Sequence, residues 1–386
     1  MSTVTKVSTE TVAASLVSGS IPTTMKAAIS RGFGSIEDNV FVVTDWPVPT
    51  LAECDQYHLL IRVLACALAP GDVRVLKGSC DYAQLPKSGH PYVVGSDVSG
   101  VVVKSHNSKF QPGNYVVSRF EEPGPVGGVA EYRLVKTTLT EHCPSSIPSI
   151  SSCGLPASSM AAKRIVREYV KSGDRVLVIG GSGGVGTSVI QYAKPLGRAS
   201  FVATVSTQCD LCLQLGADRV IDYRTHNWWE DPTFCDASSS TSSSSEQLDV
   251  VIDLVDGHSN WSKGAVVGPG TAIRRGGTYV SLLTGVETDL EIHSCLDVTR
   301  VMAWVVGRML WTRLNPRLPR WVVPAALKLE EGDLAELFQD VTDGKLQPVL
   351  DPSSPFDFTA EGVRMAFHLQ QSIHAHGKVV IKIADE

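Results

Sequence analysis

Residues 175–194 read RVLVIGGSGGVGTSVIQYAK. After Arg175 the first residues are aliphatic and mostly β-branched, as in a strand buried on both faces. Gly181, Gly183 and Gly186 follow as G-x-G-x-x-G, and a helical pattern opens behind them. That spacing alone is weak evidence. Between a strand and a helix it becomes a dinucleotide-binding fingerprint. The first glycine is expected to permit the tight turn, the second to let backbone approach a diphosphate, and the third to let the helix pack on the strand. The N–H groups near Gly184 and Val185, at the helix start, then point at the anion.

The next strand bears on which dinucleotide binds. It ends FVATVSTQCD, residues 201–210. A carboxylate at its tip would hold the ribose hydroxyls of NAD. Ser206 and Thr207 stand there instead, and Asp210 falls inside the helix that follows. A 2′-phosphate is then not repelled: Ser206 can donate to it, and Arg224, beside Tyr223, can supply positive charge. The expected cofactor is NADP(H), held by Gly181, Ser182, Gly183, Gly184, Val185, Gly186, Ser206, Thr207, Tyr223 and Arg224.

Outward from this loop the chain keeps alternating. Strands FVATVS, RVIDY, LDVVIDLV and TYVSLL are separated by helical segments such as DLCLQLG, which implies a parallel sheet covered on both faces. Before residue 145 the character differs. KAAIS, HLLIRVLACAL, DVSGVVVKSH, YVVSRF and VAEYRLVK are short strands with Gly and Pro between them, as in a small barrel. CPSSIPSISSCG marks a crossing between domains, and a helix is expected over about 158–170. The run 238–245 is serine apart from Thr241, a solvated loop insertion. LAELFQDVTDGK, closed by Gly344, and TAEGVRMAFHLQQ read as helices, and GKVVIKI as a last strand.

Residues 298–329 contain no acid and interleave Arg300, Arg308, Arg313, Arg317, Arg320 and Lys328 with Trp304, Trp311 and Trp321. Pro316, Pro319 and Pro324 are expected to break any long helix there. The segment reads as a helical flap, its aromatics on the core and its arginines snorkelling, in preference to a membrane-surface helix.

Composition bounds the rest. The 386 residues are 43% hydrophobic and 19% charged, which is globular and long enough for two domains. A net charge of −6 gives no general attraction to nucleic acid, and no apolar run approaches a spanning helix. Nine cysteines without a framework spacing suit a reducing compartment. Cys209 and Cys212 form a lone C-x-x-C without the second ligand pair of a structural zinc site. Residues 1–24 lack the features of a secretory signal or an Arg-rich transit peptide and read as a flexible arm.

The order of motifs resembles the zinc-independent medium-chain dehydrogenase/reductases, in the quinone oxidoreductase-like branch. LAPGDVRVLKG, GSDVSGVV, FQPGNYVVS, GGVAEYRLV, GLPASSMAA, LGADRVIDY, RRGGTYVSL and HGKVVIKI follow in that family's order over residues 25–383. The C-terminal third is most similar to the reticulon-interacting mitochondrial oxidoreductases. The resemblance implies an α/β chain: a GroES-like β-barrel domain from residues 25–145 and 330–386, and a Rossmann doubly wound parallel-sheet domain over 146–329. It also implies a homodimer joined at the nucleotide sheet edge, with TYVSLL as the joining strand. Where zinc-dependent relatives carry a Cys and a Gly-His-Glu, this chain has Ala69-Pro70 and Gly95-Ser96-Asp97. No thiolate or imidazole stands at either place, so no metal site is expected.

Hydride transfer from NADPH to a quinone or to the C=C bond of an α,β-unsaturated carbonyl suits such a site. By position in related enoyl reductases, Tyr82 is the expected proton donor. Asp72 is expected to brace its loop through local hydrogen bonds. Lys378 matches a family position near the cofactor, or is a solvated strand-end lysine; His374 and His376 read as solvated. The family's usual Asn, Thr and Lys are here Ala69, Met160 and Gln208. Two alternatives stand beside the main reading: an enoyl-thioester reductase of lipid or polyketide assembly, and a low-turnover NADPH-binding partner or sensor. The expected compartment is the cytoplasm, with the mitochondrion as alternative.

Overall fold

The computed structural model describes residues 20–79, 89–120, 127–235, 246–255, 259–268, 270–282, 293–324, 330 and 332–385. Tyr82, the serine-rich run 238–245 and most of the arm 1–24 lie outside the described residues. The chain forms two compact units.

The first unit takes the described residues up to Ala157, with Leu329–Asp343 and Pro348–Glu386. Its elements begin with β1 (Thr24–Ser30), β2 (Val40–Pro47), β3 (His58–Ala67), helix α1 (Pro70–Lys77), β4 (Tyr92–Val93), β5 (Val98–Ser105), β6 (Tyr115–Ser118), β7 (Tyr132–Lys136), β8 (Thr140–His142) and helix α2 (Ser149–Ser152). β1 pairs antiparallel with β2 and β4. β3 pairs antiparallel with β5 and β7. The β3–β5 register shifts after Leu60 and again between Val63 and Ala65, the bulges by which a sheet curls toward closure. Gly100 lies where the two backbones touch: a Cβ there would sit 2.3 Å from the Arg62 carbonyl oxygen. Leu59, Ile61, Val63, Val98, Val102 and Val116 fill the interior.

The second unit takes Ser158–Lys328 and Gly344–Gln347. Helix α3 (Pro156–Tyr169) begins before the boundary. The chain thus changes units at Ala157, some twelve residues beyond the break at 145 suggested by composition. The reason is that α2 still belongs to the barrel: Ser99 Oγ donates to the Ser149 carbonyl at 2.9 Å. After α3 come β9 (Arg175–Ile179), α4 (Gly184–Ala193), β10 (Phe201–Val205), α5 (Cys209–Gln214), β11 (Arg219–Ile221), β12 (Leu248–Asp253), β13 (Ile273–Ser281), α6 (Cys295–Leu314) and β14 (Arg320–Val322). Six parallel strands lie in the order β11-β10-β9-β12-β13-β14. Val176, Leu177 and Val178 of the central strand are fully buried, as strands covered on both faces must be. The order reverses at β9, so the carboxyl end of β9 is the switch point where doubly wound sheets bind ligands.

One expectation about this unit's sheet is corrected. TYVSLL is not an edge: β13 lies between β12 and β14, and β14 is the outer strand. A homodimer joined at β13 is therefore excluded by the chain's own extra strand. The prolines act as expected on the helix before them: Asn315, ahead of Pro316, is extended. α6 runs twenty residues and ends at Leu314, ahead of all three. Trp304 and Trp321 pack edge to face at 5.7 Å, as the flap reading asks. Trp311 stays exposed, and Arg308 is buried rather than snorkelled.

The chain returns to the first unit with α7 (Asp333–Thr342), β15 (Phe356–Asp357), α8 (Ala360–Gln371) and β16 (Val380–Lys382). Gly344, at φ +72°, follows α7. Thr359 opens α8 by accepting the Gly362 N–H at 3.0 Å. β16 pairs antiparallel with β3, which places the C-terminus of the chain in the barrel sheet.

Candidate functional site

In the second unit the backbone of β9 runs straight into the glycine turn. Gly180, not Gly181, takes the left-handed conformation, at φ +86°. The tight-turn role expected of Gly181 thus belongs to its neighbour. Gly181 is needed for a different reason: a Cβ there would come within 1.8 Å of Thr204 Oγ1. That hydroxyl is fixed, donating to the Val178 carbonyl at 2.8 Å. At Gly186 a Cβ would meet the Gly180 carbonyl oxygen at 2.2 Å, so the third glycine does let α4 close on the strand.

Gly183 differs from both. A Cβ there would touch only the Gly180 carbonyl oxygen, at 3.4 Å, an ordinary contact. Its φ of −74° suits any residue. Nothing in the fold of the described residues requires glycine at this position, and the space a side chain would fill lies at the first turn of α4. Gly183 is the N-cap and offers that turn no side-chain acceptor. The first N–H groups of a helix have no intrahelical partner. Together these make a cradle for an anion.

Ser206 and Thr207 follow β10 beside the cradle. Ser206 Oγ accepts the Gln208 N–H at 3.0 Å and donates to Ser182 Oγ at 2.8 Å. The two hydroxyls are bonded to each other; the sequence names both residues but not their bond. Arg224 follows β11 and forks onto Asp222, with Nε to Oδ1 at 2.9 Å and Nη2 to Oδ2 at 2.5 Å. That pairing holds the Asp222 carboxyl at about 2, mainly through the Arg224 hydrogen bonds. A guanidinium has five N–H donors, so the fork retains others for a second anion. Tyr223 is exposed.

Lys378 belongs to the first unit. It is buried, and Nζ donates to the Leu68 carbonyl at 2.8 Å. The solvated reading of Lys378 is therefore corrected. His374 is exposed and His376 half-buried, its N–H held by Asp351 at 2.8 Å.

Around Leu68 the barrel places a buried polar corner. Asp72 Oδ2 accepts the Ala69 N–H at 2.7 Å and the Ser96 hydroxyl at 2.7 Å, the local bracing expected of it. Burial raises this carboxyl to about 6, against those two hydrogen bonds. Asp97 Oδ1 accepts the Phe120 N–H at 3.0 Å and Oδ2 the Ala157 N–H at 2.9 Å. Burial raises Asp97 too, opposed by the Lys378 charge. Arg133 Nη1 donates to the Ser96 carbonyl at 2.5 Å. Burial pushes the neighbouring Cys66 thiol far up, so it stays protonated. Sequence reading did not assign Arg133 or the second half of this network.

Comparison with known proteins gives a consistent picture. Residues 55–145 match the alcohol dehydrogenase GroES-like domain, and residues 215–381 match the family described as zinc-binding dehydrogenase. The chain is 32% identical over 373 residues to the chloroplastic NADPH-dependent alkenal/one oxidoreductase of Arabidopsis thaliana, covering 94% of this chain and 80% of that protein. It is 27% identical over 357 residues to the mitochondrial NAD(P)H oxidoreductase RTN4IP1 of Bos taurus, covering 84% and 82%. Among solved structures, the quinone oxidoreductase from Coxiella burnetii superposes with a TM-score of 0.71 at 24% identity, over 93% of this chain and 99% of that one. That likeness speaks to the fold.

Proposed function

The chain belongs to the medium-chain dehydrogenase/reductase family, in its quinone oxidoreductase-like branch, and we propose that it is an NADPH-dependent reductase of α,β-unsaturated carbonyls and quinones. The observation that carries this reading is the open side of Gly183 at the first turn of α4. It leaves room where a dinucleotide's diphosphate would lie, so the residues present fit NADP(H). The backbone N–H groups of Gly184 and Val185 would hold the diphosphate, since that of Gly183 already donates to the Gly180 carbonyl at 3.1 Å. Ser182, Ser206, Thr207 and Arg224, with Tyr223 beside it, would hold the adenosine 2′-phosphate. When bound, the reduced nicotinamide supplies a hydride.

The rest of the chemistry falls to side chains. An oxygen that becomes enolate or hydroquinone needs a proton or a hydrogen-bond donor, and Tyr82 is our assignment for it. Lys378 would serve as a fixed positive charge, aligned by Leu68. We propose that no zinc takes part. Ala69 offers only a methyl group, and both Asp97 oxygens already accept backbone N–H groups. Metal analysis of the purified protein, and turnover in the presence of a chelator, test that point: tightly bound zinc or loss of activity would refute it.

A panel of quinones, enones and enoyl thioesters, followed by NADPH oxidation, tests the activity. Turnover of enones and quinones is expected. Turnover confined to acyl thioesters would assign the chain to lipid or polyketide assembly, and NADPH binding without turnover would make it a sensor. In the same assay Tyr82→Phe is expected to lower kcat at least about tenfold; unchanged kcat removes Tyr82 from the mechanism.

A further inference from the structure

We propose that the outward face of α6 seats the protein on an anionic lipid bilayer surface. Ser294 opens this helix, its Oγ accepting the Asp297 N–H at 3.3 Å. Val301, Val305, Arg308 and Thr312, three or four residues apart, turn inward. The opposite face carries Leu296, Val306, Leu310 and Leu314, exposed by 69%, 48%, 56% and 81%. Met302 and Trp311 flank it, more than half exposed. A helix apolar on both faces is normally buried on both. Here the described residues cover only one.

The inward side needs no help from a lipid. The Arg308 guanidinium sits over the rings of Trp261, Trp304 and Trp321 at 4.5, 5.1 and 4.5 Å, contacts that lock the helix to its sheet. The outer face is therefore presented by a rigid element. No described helix is long and apolar enough to cross a membrane, so α6 would lie on the surface.

Charge selects the occupant. Residues 298–329 contain no acid in a chain of net charge −6. Arg300 and Arg313 are exposed on α6, and Arg317 and Arg320 are exposed in the segment that follows it. Among the described residues the last three make no ion pair, and Arg300 reaches only Asp297, at 3.7 Å. A second copy would meet this face through a two-fold axis and bring the same arginines with it, while Asp297 is the only acid that α6 carries. An anionic bilayer satisfies both halves: the ridge enters the acyl boundary and the arginines meet headgroups. The inference rests on α6 alone and is independent of the reductase reading.

Flotation of the full chain with two vesicle preparations tests it, one of phosphatidylcholine and one containing about one-third phosphatidylserine. The bound fraction is expected to be at least about tenfold higher on the anionic vesicles and to fall as salt rises. Leu310→Glu, and separately Arg313→Gln with Arg317→Gln, should each cut binding roughly tenfold while melting temperature and NADPH-dependent turnover hold. Equal binding to both vesicles, or anionic binding unchanged in folded variants, overturns the proposal. So does a dimer that Leu310→Glu splits in a protein that ignores vesicles, which would give the face to a second copy.

Discussion

The glycine turn of the second unit and the Ala69–Asp97 corner of the first are built in opposite ways. The turn is made of backbone. Its three motif glycines exclude side chains, two because the fold has no room and one where room remains. The corner is made of buried side chains, each with a named partner, and two carboxyls there are raised by burial. A backbone cradle stays rigid whatever the pH and holds charge through N–H groups. A side-chain corner stores ionisable groups, and its state follows the solvent.

The strongest test of this contrast is to fill space the turn does not have. Gly186→Ala drives a Cβ to 2.2 Å from the Gly180 carbonyl oxygen, which is backbone and cannot step aside. Overpacking of this kind should cost about 3 kcal/mol of stability, read as a drop in the urea midpoint. A variant as stable as the parent would mean the turn is looser than its geometry says.

The corner should answer to pH instead. The folded Asp72 carboxyl titrates at about 6, and an unfolded Asp at about 3.9. Between those values the folded chain keeps a proton the unfolded chain has released. This group therefore favours folding at low pH, and stability falls as pH rises through that window and then levels. Asp72→Asn cannot ionise and removes the slope. Its stability relative to the parent should rise between about pH 4 and 6 and stay constant above. Parallel curves for the two proteins would mean that burial does not raise this carboxyl.

The smallest effect belongs to the rim of the cradle. Arg224 is already bound to Asp222, so only part of its donor set is free for a phosphate. Arg224→Ala should raise KM for NADPH about fivefold and leave KM for NADH within about twofold. Equal effects on both cofactors would remove Arg224 from 2′-phosphate recognition.

The same contrast explains what was legible in the sequence. The sheet strands and the turn announce themselves through aliphatic runs and glycine spacing, which are local. The corner joins Asp72 to Ser96 and Asp97 to Ala157, contacts across 24 and 60 residues that no window reveals. The turn was legible only in outline: IGGSGG contains several glycines, and spacing alone credits Gly181 with the bend that Gly180 makes. β14 escaped because three residues between prolines and tryptophans carry no period, and its pairing with β13 displaces the expected dimer edge. The prolines were legible, since a helix ends before a proline and α6 stops at Leu314, ahead of Pro316.

The central claim is that residues 181–186 grip the diphosphate of NADP(H), and Gly183 isolates it because its side chain space is open. Titration of Gly183→Ala with NADPH, beside its melting curve, is the direct measurement. The account predicts affinity at least about tenfold weaker with a melting temperature within about 2 °C of the parent. Unchanged affinity in a folded variant would contradict it.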